Sequence, residues 1–287
     1  MVSRVAILTL TFLLVAGLER LPRLRFAPAR FLRAHLATDT AWYLVSTGAS
    51  VVFTLVVGPV IAPLALADGL VTLPLALRVA VAVIGYDLVA FLVHRRLHRV
   101  DALWAVHKVH HSSRHLDWLA TTRTHMFEHL VRNLPAQGLL LLAGFPVSVV
   151  TAATAIYAGF ALFGHSNLRV NLRWAEPVFI TPRVHRRHHV PATTERNFGT
   201  VLSLWDRACG TLVELDTAAA EPLGVPGELE TYPQRFADAV RAPGRELRAR
   251  RARELTPVTS EPEVPPRPTG DRPPPAPAPR RRRTPRP

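Results

Sequence analysis

Three long apolar runs constrain the fold of this 287-residue chain more than any other feature. Ala41–Leu66 contains no acidic or basic residue, Leu73–Val93 contains only Arg78 and Asp87, and Leu134–Phe163 is again uncharged. A helix of about 20 apolar residues spans a bilayer, although one such run alone is also typical of a buried core helix. Three of them in a chain of this size predict an all-α, polytopic membrane helical bundle.

A shorter apolar run, Val5–Leu18, leaves two alternatives open. It is preceded by Arg4 and has the length of the apolar region of a signal peptide, but no small-residue cleavage site follows it. The run ends at Glu19 and leads into a basic segment. We therefore favour a helix that is not cleaved.

The positions of basic residues predict the orientation in the membrane. Basic residues lie between Val5–Leu18 and Ala41–Leu66 and again after Leu73–Val93: Arg20, Arg23, Arg25, Arg30 and Arg33, then Arg95, Arg96, Arg99 and Lys108. The turn Ala67–Val71 between them contains only Asp68. Because cytoplasmic loops are enriched in Lys and Arg, we expect both basic segments in the cytoplasm and Asp68 outside.

The run Leu134–Phe163 contains the helix-breaking sequence Gly144–Pro146 near its middle. The half before this break is too short to cross a hydrocarbon core of about 30 Å at 1.5 Å per residue. We therefore expect a helical hairpin that returns the chain to the cytoplasmic side.

Nine histidines cluster at the ends of these runs. They form one H-x-x-x-H pair, two H-x-x-H-H boxes and one single residue: His94 and His98; His107, His110 and His111; His185, His188 and His189; and His165. A neutral imidazole is a good ligand for first-row metals, and helix positions three and four apart share one face. Nine ligands exceed the needs of one tetrahedral ion and suit two ions of higher coordination. The pattern indicates an oxidative enzyme with two irons.

These boxes and their neighbours resemble the membrane fatty acid hydroxylase/sterol desaturase superfamily of non-haem di-iron oxidases, from about Ile84 to Thr211. The matching elements are the histidine boxes, the segment Arg123–Glu128 with Met126 where the family usually has proline, the element His165–Asn167, and the closing segments Asn197–Thr200 and Leu204–Thr211. The resemblance implies that the nine histidines bind iron.

The family resemblance also implies supporting residues around the metals. The candidates are Asp87, His125, Glu128 and Asn167. Asp87 lies two helical turns before His94 on the same face, so we expect it to accept a proton from a ligand ring. For His125 two roles remain open: it is either a metal ligand or a supporting residue that Glu128 orients.

Other conspicuous residues have ordinary interpretations. We expect His35, His115 and His129 to be unrelated to the metals, and the three tryptophans to anchor the chain at the membrane surface: Trp104, Trp118 and Trp205.

The resemblance implies an enzyme that uses O2 and external reductant to hydroxylate or desaturate a C–H bond of a lipid that arrives from the bilayer. The chain has no Gly-rich dinucleotide motif, and Cys209 is its one cysteine, so electrons would come from a separate ferredoxin- or cytochrome-type donor. The alternative is a membrane protein that binds or transports zinc or another divalent ion. Transport needs polar residues inside the helices, and only Arg78 and Asp87 are charged there.

Composition divides the chain into four predicted parts. These are N-terminal membrane helices with a basic loop (1–80), a catalytic domain (81–213), a polar helical extension (214–255) and a Pro/Arg-rich tail (256–287). The net charge of +14 comes largely from arginines beside the membrane runs and in the last two parts. Such a tail cannot bury a core, so we expect disorder. On a membrane protein we expect contact with solvent or lipid, not nucleic acid, with the tail and metal site in the cytoplasm.

Overall fold

The computed structural model describes residues 12–28, 35–67, 72–214 and 221–255 of the chain. Four predictions concern positions outside the described residues: residues 5–11, Arg30 and Arg33, Asp68, and the tail from residue 256. The chain divides into two compact units, Met1–Ala249 and Arg250–Pro287. The metal-site helices lie in the first unit.

Nine α-helices occur among the described residues, and no strand does: α1 (Leu36–Val52), α2 (Gly58–Ile61), α3 (Leu75–Arg99), α4 (Asp101–His111), α5 (Met126–Leu142), α6 (Val147–His165), α7 (Pro182–His188), α8 (Leu204–Ala208) and α9 (Phe236–Leu255). Residues 12–18 are also helical. A π-helical segment, Phe53–Val57, joins α1 to α2, and a 3₁₀ turn, Ala62–Leu64, follows α2. The prediction of an all-α membrane bundle is confirmed.

Two of the helices, α3 with 25 residues and α6 with 19, are long and apolar enough to cross a membrane. The apolar run Leu73–Val93 becomes most of α3, which continues to Arg99 and so carries His94 and His98 on its last turns. The first long run behaves differently, because its helix changes to π and 3₁₀ geometry between Phe53 and Leu64. Only α3 and α6 therefore qualify as spans among the described residues.

The predicted hairpin is present and consists of α5 and α6. α5 ends at Leu142 and α6 begins at Val147, with Gly144 at a positive φ of 82° between them. Pro146 caps the start of α6, where its missing N–H costs nothing. Because the hairpin reverses the chain, His165 at the end of α6 returns to the side of α3 that holds His94.

The core between α3, α5 and α6 uses small side chains at its contacts. Ala82 and Ala90 of α3, Ala136 of α5 and Ala153 of α6 are buried. Alanines permit close approach of helix backbones, as is typical of membrane interfaces. Large apolar side chains instead face outward along the same helices: Ile84, Leu92, Leu139 and Ile156. A soluble surface seldom exposes so many, which agrees with a lipid-facing exterior.

The polar end of the bundle is covered by segments from both ends of the chain. Val15, in the helical residues 12–18, packs on Leu162 of α6. From the other end, Tyr232 and Ala239 pack against Trp42 of α1 and Val109 of α4. Residues near both termini thus contribute to the environment of the histidine boxes.

Gly144→Ala should destabilise the protein by about 1 kcal/mol, because an L side chain is strained at positive φ. Gly48→Ala is the matched control: Gly48 lies inside α1, and an added Cβ meets nothing within 4 Å. Alanine there should raise stability by about 0.5–1 kcal/mol. Thermal unfolding of both variants in one detergent checks the opposite signs. Equal shifts would contradict the turn at Gly144.

Candidate metal centre

Four helices bring the nine histidines together at one end of the bundle. α3 supplies His94 and His98 on its last turns, and α4 and α7 supply one H-x-x-H-H box each. His165 is the last residue of α6. All nine are buried. The structure therefore places every predicted ligand in one cluster.

The cluster divides into two groups, and in each the candidate ligand atoms all lie within 4.8 Å of one another. The first group has five residues, His94, His98, His107, His111 and His188; the second has four, His110, His165, His185 and His189. No Asp or Glu belongs to either group within the described part of the chain. The arrangement therefore offers two adjacent all-imidazole sites.

Helix geometry explains how each H-x-x-H-H box serves both groups. At 100° per residue, the last histidine of a box lies about 40° from the first around the helix axis. The middle histidine lies about 60° from the first in the opposite direction. In α4, His107 and His111 accordingly join the first group, and His110 joins the second. In α7 the allocation is reversed, so that His188 alone joins the first group.

The Nδ1 atoms of several ligand rings are held by oxygen acceptors. Backbone oxygens lie within hydrogen-bond distance in three cases: Phe198 O at 2.7 Å from His94, Ala161 O at 2.7 Å from His165, and Arg196 O at 2.6 Å from His188. His107 Nδ1 lies 3.0 Å from Glu128 Oε1. Because a carbonyl only accepts, Nδ1 carries the proton and the Nε2 lone pair is free to bind a cation.

The Nε2 atoms converge on one another without donors between them. His94 Nε2 lies 3.1 Å from His107 Nε2, and His165 Nε2 lies 3.0 Å from both His110 Nε2 and His185 Nε2. Two nitrogens that each lie about 2.1 Å from one ion at a right angle are about 3 Å apart. Nε2 of His111 and of His188 is likewise buried with no hydrogen-bond partner in the described structure.

Burial favours the uncharged form of five of these rings, as metal ligands require. It lowers the pKa of His188 to about 3, and burial together with neighbouring imidazoles lowers the pKa of His110, His111, His185 and His189 well below the ordinary histidine value. Neutral rings with orphaned, converging lone pairs fit two first-row transition-metal ions.

A loop after α7 supplies two of the oxygens that hold ligand rings. Asn197 adopts a positive φ of 56°, and its side chain donates to Val184 O and Val213 O and accepts from Val213 N. This left-handed turn lies between Arg196 and Phe198, whose carbonyls face His188 and His94. Asn197 is a positioning residue that sequence reasoning missed, although the motif Asn197–Thr200 had drawn attention to the segment.

The expected contact between Asp87 and a ligand ring was wrong. The buried Asp87 carboxylate instead accepts from the backbone N–H groups of Val201 and Leu202, at 3.0 Å each, and from Trp205 Nε1 at 2.8 Å. Helical periodicity alone could not reveal partners more than 100 residues away. Asp87 therefore fixes the loop that holds His94, one step removed from the metal ligands.

His125 is the N-cap of α5 and belongs to neither group. Its Nδ1 accepts from Phe127 N at 3.2 Å, and its Nε2 lies 3.3 Å from Val240 O. Glu128 does not orient it, because the Glu128 carboxylate contacts His107 and Arg132 instead. The segment Arg123–Glu128 therefore contributes Glu128 to the site, not His125.

Asn167 also lies outside the metal site. Its side chain pairs with the backbone of Ala27, and its N–H donates to Glu19. His115 and His129 are in neither group, as expected. Trp104 packs its ring 4.9 Å from that of His98 and forms a wall of the first group.

Glu128→Gln should weaken metal binding about 10- to 100-fold, because the amide keeps the shape but loses the charge that polarises His107. Metal retained after dialysis against graded chelator measures this. Glu230→Gln removes the same charge from an exposed site and should leave retention unchanged. Equal retention in both variants would refute the role of Glu128.

Comparisons with known proteins show to which sequences this chain is similar. Residues 79–211 match the sequence model of the fatty acid hydroxylase family. The ornithine lipid hydroxylase OlsE of Rhizobium tropici is 30% identical over 158 residues, which cover 54% of this chain and 48% of that protein. Alkylglycerol monooxygenases from Danio rerio and Homo sapiens are 30% and 28% identical over 132 residues, 45% of this chain and 29% of each relative.

The chain thus spans less than half the length of these curated relatives, and no solved structure matches it significantly. The matched region contains all nine clustered histidines. The resemblance drawn from the histidine boxes is confirmed by the match of residues 79–211 to the fatty acid hydroxylase family model.

Proposed function

We propose that this chain is an integral-membrane di-iron oxidase that hydroxylates a C–H bond of a lipid with O2 and an external reductant. The observation that carries the proposal is the pair of buried all-imidazole groups at the ends of membrane-length helices. The names of the relatives, a hydroxylase and monooxygenases, favour hydroxylation over desaturation. The proposed iron ligands are the nine histidines of the two groups.

Two reduced non-haem irons, when bound, supply the O2-dependent chemistry that an unactivated C–H bond requires. The chain's own task is to hold the ligands and exclude water. The Phe198, Arg196 and Ala161 carbonyls keep protons on Nδ1 of their histidines, which directs Nε2 inward. Burial of every ligand keeps bulk water from the site, which limits side reactions of oxidising species.

A lipid is the proposed substrate because the ligands emerge from apolar helices. His94 and His98 end a helix whose outward face bears Ile84 and Leu92, and His165 ends one that bears Ile156. A substrate dissolved in the bilayer can reach such a site without crossing water.

We further propose that residues 81–213 form the catalytic domain, flanked by 1–80, 214–255 and the tail 256–287. Electrons would come from a separate redox protein of the ferredoxin or cytochrome type. Cys209, the one cysteine, supports this proposal because a cysteine-ligated cluster needs several thiolates.

Purified protein should contain about two irons per chain, and lipids from cells that express it should include species with one additional oxygen. His188→Ala removes a ligand of the first group, so it should lower bound iron and abolish the oxygenated species. Elemental analysis and comparative lipid mass spectrometry measure the two outcomes.

His115→Ala is the matched control, because His115 is exposed and belongs to neither group. It should retain both iron and product. Tightly bound zinc, with no O2 uptake on reduction, would contradict the oxidase proposal and indicate a zinc-binding protein instead. A metabolite change restricted to water-soluble compounds would refute the lipid substrate.

We also propose that the metal site faces the cytoplasm, since basic residues such as Arg95, Arg96 and Arg99 lie at that end of α3. Cys209 is exposed, and its Sγ lies 3.6 Å from Arg95 Nη1, so it reports on this end. An impermeant thiol reagent should label wild-type cells only after permeabilisation. Leu66→Cys in a Cys209→Ser background lies beside Leu142 at the opposite end and should label in intact cells. The reverse pattern would invert the orientation.

A further inference from the structure

The helix α7 carries three arginines between and before its ligand histidines, and two of them have carboxylate partners. Arg183 pairs with Glu176, and Arg187 Nη1 lies 2.5 Å from Glu221 Oε2. The carboxylate that acts electrostatically on Arg186, that of Glu221, is already paired with Arg187, so Arg186 has no ion-pair partner of its own among the described residues.

Arg186 is nevertheless more deeply buried than either neighbour, at 3% exposure. Its Nε and Nη1 are enclosed without a hydrogen-bond partner in the described structure. Its guanidinium carbon lies 5.2 Å from the centre of the Phe26 ring, which closes one side. A buried charge with unused donors is strongly destabilising unless an anion pairs with it.

The surroundings place this cation at the level of lipid headgroups. Phe26 belongs to a short segment whose backbone pairs with Asn167, just after α6 ends at His165. α6 has the length and composition of a membrane span, so its end lies where the hydrocarbon core meets the headgroup region. Arg186 also follows His185 directly and lies about 100° from it around α7.

We propose that Arg186 is the cation of a binding site for the phosphate or carboxylate group of a lipid headgroup, beside the four-histidine group. The planar guanidinium donates two parallel hydrogen bonds to such an anion, and Phe26 covers its face. The statement that the bound lipid is a substrate rests on the proposed function. The binding itself requires neither iron nor turnover.

The test uses the full chain in a zwitterionic detergent, titrated with phosphatidylglycerol or with phosphatidylcholine of identical acyl chains. Native mass spectrometry counts bound lipid, and thermal unfolding measures stabilisation. Wild type should bind the anionic lipid in preference to the zwitterionic one and unfold at a higher temperature in its presence. Arg186→Gln should bind phosphatidylglycerol about tenfold or more weakly, and Arg186→Lys should be intermediate.

Arg207→Gln is the matched control, because it removes the same charge from a half-exposed side chain of α8 and should bind like wild type. Lipid-free Arg186→Gln should unfold at a higher temperature than lipid-free wild type, since it no longer buries an unpaired charge. This gain distinguishes loss of the site from misfolding.

Three results would overturn the proposal. They are equal binding of both lipids by wild type, undiminished phosphatidylglycerol binding by Arg186→Gln, and equal protection by inorganic phosphate at the same concentration, which would assign the site to a free anion. Failure of the oxidase proposal leaves these binding results intact, because none of them depends on metal or product.

Discussion

The metal-site architecture depends on where buried imidazole rings keep their single proton. A neutral ring has one N–H and one lone pair, and here carbonyl or carboxylate oxygens face Nδ1 of His94, His107, His165 and His188. The remaining lone pairs point at one another. A buried acceptor without a donor costs about 1–3 kcal/mol, and this cost recurs across the cluster. A bound cation removes it, so metal binding and folding are coupled in this end of the molecule.

The loop that supplies two of these oxygens is tied to a membrane helix. Asp87, in the middle of α3, accepts three hydrogen bonds from residues 201–205, and Asp206 accepts from the N–H groups of Phe198 and Gly199. This loop conformation requires glycine at position 199, because an added Cβ would lie only 2.7 Å from Leu202 O. The position of α3 in the bundle therefore determines where the carbonyl of Phe198 meets His94. Among the described residues, this carboxylate deep in an apolar helix is stabilised by two backbone N–H donors and the Trp205 indole N–H, not by an ion pair.

Sequence periodicity predicted the parts of the molecule that depend on local geometry. The break at Gly144, the hairpin and the gathering of nine histidines follow from turn residues, run lengths and helical spacing. The division of each H-x-x-H-H box between two groups follows from the same 100° rotation, so it was also accessible. The partners of Asp87 and Glu128 were not, because they lie on elements whose placement is determined by tertiary packing. His125 and Glu128 share one short motif, yet only Glu128 points into the site.

The C-terminal extension contributes to the electrostatics of the first box, although it lies beyond the family match at residue 211. Lys108 stands between two ligand histidines of α4 and is buried, and its Nζ lies 2.6 Å from Glu228 and 2.9 Å from Glu246. An unpaired ammonium at this position would repel the cations that the adjacent rings bind. Two carboxylates from the extension reverse the sign of the local charge and so favour metal binding. The lysine within the box and the acids outside the family region are therefore best understood as one unit, in which the extension allows α4 to combine a buried cation with a metal site.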